Sequence, residues 1–230
     1  MSKNPALGLI GGTFNPVHYG HLLAAEYSRN EMGLDTVIFV PAARPPHKDG
    51  REILDAGLRY EMVRMAIEDN PGFAISDHEL ERPGPSYTVD TIHYFEQLYP
   101  GKIIYFIMGA DSLLLMKTWK DAGVLAARGN FIVVTRPGYH VKWDKAPLSE
   151  LPGDLRNRLV FLEIPGMDIS SSKIRRRVQM GKSIKYMLPG NVEHFIMKNA
   201  DNCRFECGKI GRQNLYALLQ KSEPLPEQPV

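Results

Sequence analysis

Gly11-Gly12-Thr13-Phe14-Asn15-Pro16-Val17-His18-Tyr19-Gly20-His21 follows directly on an apolar run, Ala6–Ile10. Paired glycines let a backbone turn sharply and approach a ligand. A helix opening just beyond them offers unpaired N–H groups and a partial positive charge to an anion. His18 and His21, three residues apart in its first turn, can face one phosphate. The same imidazoles could instead ligate a metal or act as bases, or one could cap the helix while the other packs. Zinc would need further Cys, His or carboxylate ligands, and none lies nearby in sequence. With the glycines and Pro16 ahead of them, phosphate contact is the favoured chemistry.

A second constellation is Ile169-Ser170-Ser171-Ser172-Lys173-Ile174-Arg175-Arg176-Arg177, in a stretch without acidic residues from Ile169 to Val192. Hydroxyls at a helix start provide an N-cap and phosphate donors together, and Arg175 can make a bidentate phosphate contact. Alone, this would read as a capped helix with a solvated basic face. Paired with a phosphate turn elsewhere, it becomes the second half of a nucleotide clamp. Gly181-Lys182-Ser183 resembles the end of a P-loop, but Arg176 stands where the earlier glycine is required.

Three further segments carry polar chemistry. In Pro45-Pro46-His47-Lys48 the prolines stiffen a loop that could hold His47 and Lys48 toward an anion. Asp111, in Gly109-Ala110-Asp111-Ser112, could orient a hydroxyl, help hold hydrated Mg²⁺ or cap a helix. Trp119 offers a flat face to a heteroaromatic ring, or packs in the core. Ser86-Tyr87-Thr88 reads as a hydroxyl-capped helix start whose free N–H groups could receive a carboxylate. Cys203 and Cys207, with His194 upstream, lack a fourth ligand and read as ordinary thiols.

Strands and helices must hold these groups. Apolar runs at 6–10, 36–40, 73–76, 102–108, 130–135 and 160–164 alternate with helical periodicity over 19–32, 58–69 and 87–98. Such alternation predicts an α/β fold: a doubly wound, mainly parallel sheet with helices on both faces. Ligands in these sheets bind at the carboxyl ends of the strands, and the segments just after the strands are 11–21, 41–48, 109–119, 136–139 and 165–175. Residues 1–199 then form the catalytic unit, and the less hydrophobic 200–230 a partly disordered extension.

The 230 residues carry a net charge of +2 and 23% charged side chains, an ordinary globular composition that does not point to nucleic acid. Two cysteines exclude a disulfide scaffold and fit a reducing compartment. No apolar run approaches bilayer length and no cleavable leader is visible, so the expected location is cytoplasmic, away from membranes.

From Leu7 to Asn199 the chain resembles bacterial nicotinate-nucleotide adenylyltransferases. The resemblance rests on GGTFNPVHYGH, PPHK, SYTVDT, GADSLLLMKTW, TRPGY, ISSSKIR and MLPGNVEHFI. The first and sixth mark only the nucleotidyltransferase superfamily; PPHK, SYTVDT and the tryptophan after GADS narrow it. Asn15 and Ser172 replace a frequent aspartate and a frequent threonine with other polar side chains. The resemblance implies a Rossmann-like nucleotidyltransferase fold and transfer of AMP from ATP to nicotinate mononucleotide, giving deamido-NAD and pyrophosphate with Mg²⁺. It places Gly11, Gly12, Thr13, Phe14, His18, His21, Ile169, Ser171, Ser172 and Arg175 on ATP, with His18, His21 and Arg175 catalytic. Asn15, His47, Lys48, Tyr87, Thr88, Asp111 and Trp119 then serve the mononucleotide. Lys48 meets its phosphate, the Thr88 N–H its carboxylate and Trp119 its ring. The metal travels with the ATP phosphates, with Asp111 in reach. A preference for the amide mononucleotide, phosphopantetheine adenylyl transfer and a non-catalytic nucleotide binder remain alternatives, and a homo-oligomer stays open.

Overall fold

Strand side chains alternate between two faces, and in this chain both faces are apolar. On β1 (Ala6–Gly12), Ala6 and Ile10 join one buried cluster while Leu7 and Leu9 join another. On β5 (Asn130–Thr135), Ile132 and Val134 divide from Phe131 and Val133 in the same way. A strand buried on both sides needs helices above and below it. The computed structural model describes residues 5–45, 53–139, 149 and 153–199, and supplies both layers. Packed on one face are α1 (Tyr19–Met32), α2 (Ala56–Ile67), α7 (Ser171–Gln179) and α8 (Gly190–Lys198). The other face carries α4 (Thr88–Leu98), α5 (Ala110–Leu114) and α6 (Ala122–Arg128). A one-turn helix, α3 (His78–Glu81), follows β3 (Phe73–Ile75).

Six parallel strands stand in the order β3-β2-β1-β4-β5-β6, with β2 spanning Thr36–Pro41, β4 Ile103–Gly109 and β6 Leu159–Glu163. This is the doubly wound arrangement expected from the apolar runs. Its direction of winding reverses between β1 and β4, opening a crevice above their carboxyl ends. Local signals set the element ends. Asp55 accepts from the N–H groups of Gly57 and Leu58 (2.8 and 3.3 Å), so α2 begins two residues before its periodicity suggested. Gly33 closes α1 in the left-handed region, at φ 59°. Gly181, in the rejected P-loop look-alike, also has positive φ just past the end of α7. His47, Lys48, Cys203, Cys207 and the 200–230 extension lie outside the described residues.

Candidate functional site

The phosphate turn is built differently from the sharp glycine bend expected. Both glycines end β1 in extended register, Gly11 opposite Val40 and Gly12 opposite Pro41. They provide room: a Cβ on Gly11 would stand 2.9 Å from the Phe106 ring, and one on Gly12 would stand 3.1 Å from the Phe14 ring. The reversal falls on Phe14, whose φ of 47° is unusual for a bulky residue. Its ring is buried and packs against Phe39 and His21, at 5.8 and 5.0 Å between centroids. Packing thus holds a conformation that the residue's own sterics disfavour.

His18 is the N-cap of α1, and its N–H donates to Nδ1 of His21 (3.2 Å). With Nδ1 accepting, the proton of a neutral His21 ring sits on Nε2. The two rings stack at 3.7 Å. His18 is only 6% exposed, and burial pushes its pKa down to about 4. Gly20 keeps the space beside this pair open, since a Cβ there would lie 3.1 Å from the His18 ring.

Across the turn, the Ser170 side chain caps α7 by accepting from the Lys173 N–H (3.3 Å). The Ser171 hydroxyl donates to the Pro16 carbonyl (2.8 Å) and Arg175 Nη1 donates to the Asn15 carbonyl (3.1 Å). The two constellations recognised in the sequence are therefore in direct contact. Ser172 is exposed and stands off the cleft wall. Asn15 is 3% exposed, with its side-chain oxygen accepting from the Leu54 N–H, so it ties the turn to the segment ahead of α2.

The opposite flank is formed by the starts of α4 and α5. Tyr87 precedes α4 without making a side-chain cap; the Ser86 hydroxyl instead accepts from the Ala43 N–H (3.0 Å). Asp111 lies in the first turn of α5, but Gly109 is the N-cap, so the capping role considered for Asp111 is not used. Trp119 is half-buried and meets Phe106 edge-on at 6.2 Å. Lys120 lies 4.9 Å above the Tyr87 ring and pairs with Asp90 (3.2 Å), which also holds Arg82 (3.0 Å).

A cleft of about 680 Å³ joins the flanks. Gly11 through Phe14, His18, His21, Ile169 and Ser171 line one part, and Tyr87, Thr88, Asp111 and Trp119 the other. Its wall also carries three charged residues, of which only Arg136, within TRPGY, belongs to a segment singled out in the sequence. Glu79 is 7% exposed and accepts from the Thr91 hydroxyl. The others are Lys120 and Arg136, the latter 3.9 Å from Asp168, which Lys173 also holds. A buried carboxylate in a helical turn and cations beside a proline or tryptophan carry no periodic signature. Among the described residues, no group of three or more His, Cys, Asp or Glu is placed to hold a metal, and no helix is long and apolar enough to cross a membrane.

Comparison with known proteins gives concordant results. Residues 9–177 match the cytidylyltransferase-like family model. A "probable nicotinate-nucleotide adenylyltransferase" of Moorella thermoacetica is 46% identical over 197 residues, covering 85% of this chain and 91% of the relative. A protein of the same name from Thermus thermophilus is 43% identical over 193 residues, covering 84% and 97%. A solved nicotinic acid mononucleotide adenylyltransferase of Plasmodium falciparum, complexed with NaAD, superposes with a TM-score of 0.72. It shares 18% identity and the match covers 89% of this chain and 98% of that one, a likeness of fold.

Proposed function

Because the chain belongs to the nicotinate-nucleotide adenylyltransferases within the cytidylyltransferase-like family, we propose that it transfers AMP from ATP to nicotinate mononucleotide, forming deamido-NAD and pyrophosphate. The observation that carries this reading is the two-sided cleft at the switch point, with stacked histidines on one flank and Trp119 beside an uncapped helix start on the other.

A phosphate oxygen of the mononucleotide attacks the α-phosphorus of ATP. The bond from that phosphorus to the bridging oxygen breaks, and pyrophosphate leaves with the electron pair. With a second pKa near ~6, the attacking phosphate is already largely dianionic at neutral pH. No side chain has to remove a proton, and the protein's work is alignment and charge stabilisation. Two imidazolium rings stacked at 3.7 Å would repel by about 4 kcal/mol at an effective dielectric of ~20. The pair therefore works with at most one positive charge, and buried His18 serves as its neutral member. Mg²⁺ enters as part of the MgATP substrate. Asp111, on the cleft wall, would be the carboxylate in its reach.

Pyrophosphate release measured with MgATP and, in parallel, nicotinate mononucleotide, nicotinamide mononucleotide and phosphopantetheine tests the reading. The acid mononucleotide should be used best. Faster turnover of either alternative would overturn it, as would ATP binding without turnover of any.

A further inference from the structure

Arg59 belongs to none of the motifs, yet it is one of the most deeply buried large side chains in the described structure, at 1% exposure. Burial lowers its pKa, with Asp55 opposing that effect. Among the described residues no carboxylate receives its hydrogen bonds; its partners there are three backbone carbonyls from three different segments. Nε donates to Leu54 (2.9 Å), Nη1 to Thr13 (2.8 Å) and Nη2 to Ala43 (3.3 Å). Thr13 lies in the phosphate turn, Ala43 in the loop that leaves β2, and Leu54 ahead of α2. A planar guanidinium with donors in a fixed fork can hold three acceptors in one relative geometry; an ammonium cannot.

Two of these segments flank the cleft. The turn carries the groups read as contacting ATP, and the Ala43 loop runs into Pro45 on the cleft wall. That loop is gripped from the other side by Ser86, whose hydroxyl accepts from the Ala43 N–H (3.0 Å) and whose N–H donates to the Arg44 carbonyl (3.0 Å). We infer that Arg59 is a positioning residue for the transfer step: it sets the distance between the ATP-binding turn and the acceptor-side loop without touching either substrate. The inference rests on the adenylyltransfer reading. A displacement of about 1 Å between reacting groups can cost on the order of 10²-fold in rate. Loss of the fork should therefore act on kcat more than on the binding of either nucleotide alone.

The test compares Arg59→Lys with the parent, with activity expressed per folded molecule from thermal melts. Arg59→Lys should lower kcat by about 10–100-fold, while KM for each nucleotide and the directly measured ATP Kd change less than about threefold. A role confined to fold stability would lower Tm and leave kcat per folded molecule within about twofold of the parent, which overturns the inference. A rise in both KM values at unchanged kcat overturns it too. Ser86→Ala keeps the buried cation and loosens the same loop, so it serves if Arg59→Lys does not fold. It should lower kcat at least fivefold with a small change in Tm, and parental kcat in Ser86→Ala would refute loop positioning. Failure of the parent itself to turn over nicotinate mononucleotide would count against the adenylyltransfer reading, and is a separate result.

Discussion

At the scale of single residues, the proposed transfer asks different things of the two stacked histidines. His21 accepts the His18 N–H at Nδ1, and the proposed transfer would set its Nε2–H against charge developing on a phosphate. Replacing it should resemble removal of one oxyanion donor: His21→Ala is expected to lower kcat by about 10²–10³-fold in steady-state assays. Near-normal kcat would exclude that role. Trp119 is half-buried at the other end of the cleft, and Trp119→Ala should raise KM for the mononucleotide about tenfold, for a stacking loss of ~1–2 kcal/mol. An unchanged KM would make Trp119 a packing residue only. His18 has a folded-state pKa of about 4, below the unfolded value of 6.5. The unfolded chain therefore binds this proton first, and neutral His18 favours the folded state fully above pH 6.5. That contribution, up to about 3 kcal/mol, is lost as pH falls from 6.5 toward 4. Urea titrations over this range should show the decline, and His18→Asn should flatten it. Sequence made the histidines, Ser171 and Trp119 visible through motif context. Arg59 and Glu79 were illegible, because an ionic side chain on a helix ordinarily reads as solvated until burial is known.

At the scale of elements, the sheet was readable because its strands are buried on both faces, which writes continuous apolar runs into the chain. Helix α8 was less so: Val192 and Ile196 have helical spacing, but Pro189 and Gly190 at its start read locally as a loop. The two glycines of the turn show a different limit. Residue type alone does not separate a glycine needed for a positive φ from one needed for space, and only the Phe106 ring against Gly11 decides it. Gly8 makes the same point in the core. A Cβ there would approach Ile107 and Leu34 at 2.9 Å and Val37 at 3.0 Å. Gly8→Ala should cost about 1–3 kcal/mol by overpacking, lowering Tm by roughly 2–4 °C for each kcal/mol in a chain of this size. The readout is a thermal melt, and kcat per folded molecule should remain that of the parent.

At the scale of the whole molecule, the two apolar clusters share the same strands, so neither helix layer can detach without exposing the sheet. Urea unfolding followed by tryptophan fluorescence and by far-UV circular dichroism should give superimposable transitions; separated midpoints would reveal a layer that unfolds alone. The network beneath the cleft has an effect of another kind. Arg59, Arg175 and Ser171 occupy the carbonyl oxygens of Thr13, Asn15 and Pro16 from the protein side. A bare backbone turn presents negative oxygens as readily as positive N–H groups. Here three of those oxygens are engaged by donors, two of them guanidinium groups. A polyphosphate at the turn, as the proposed reaction requires, would meet a backbone whose repulsive dipoles are quenched by those donors. On that reading, its fitness for an anion would be set by what has been hidden as much as by what is displayed.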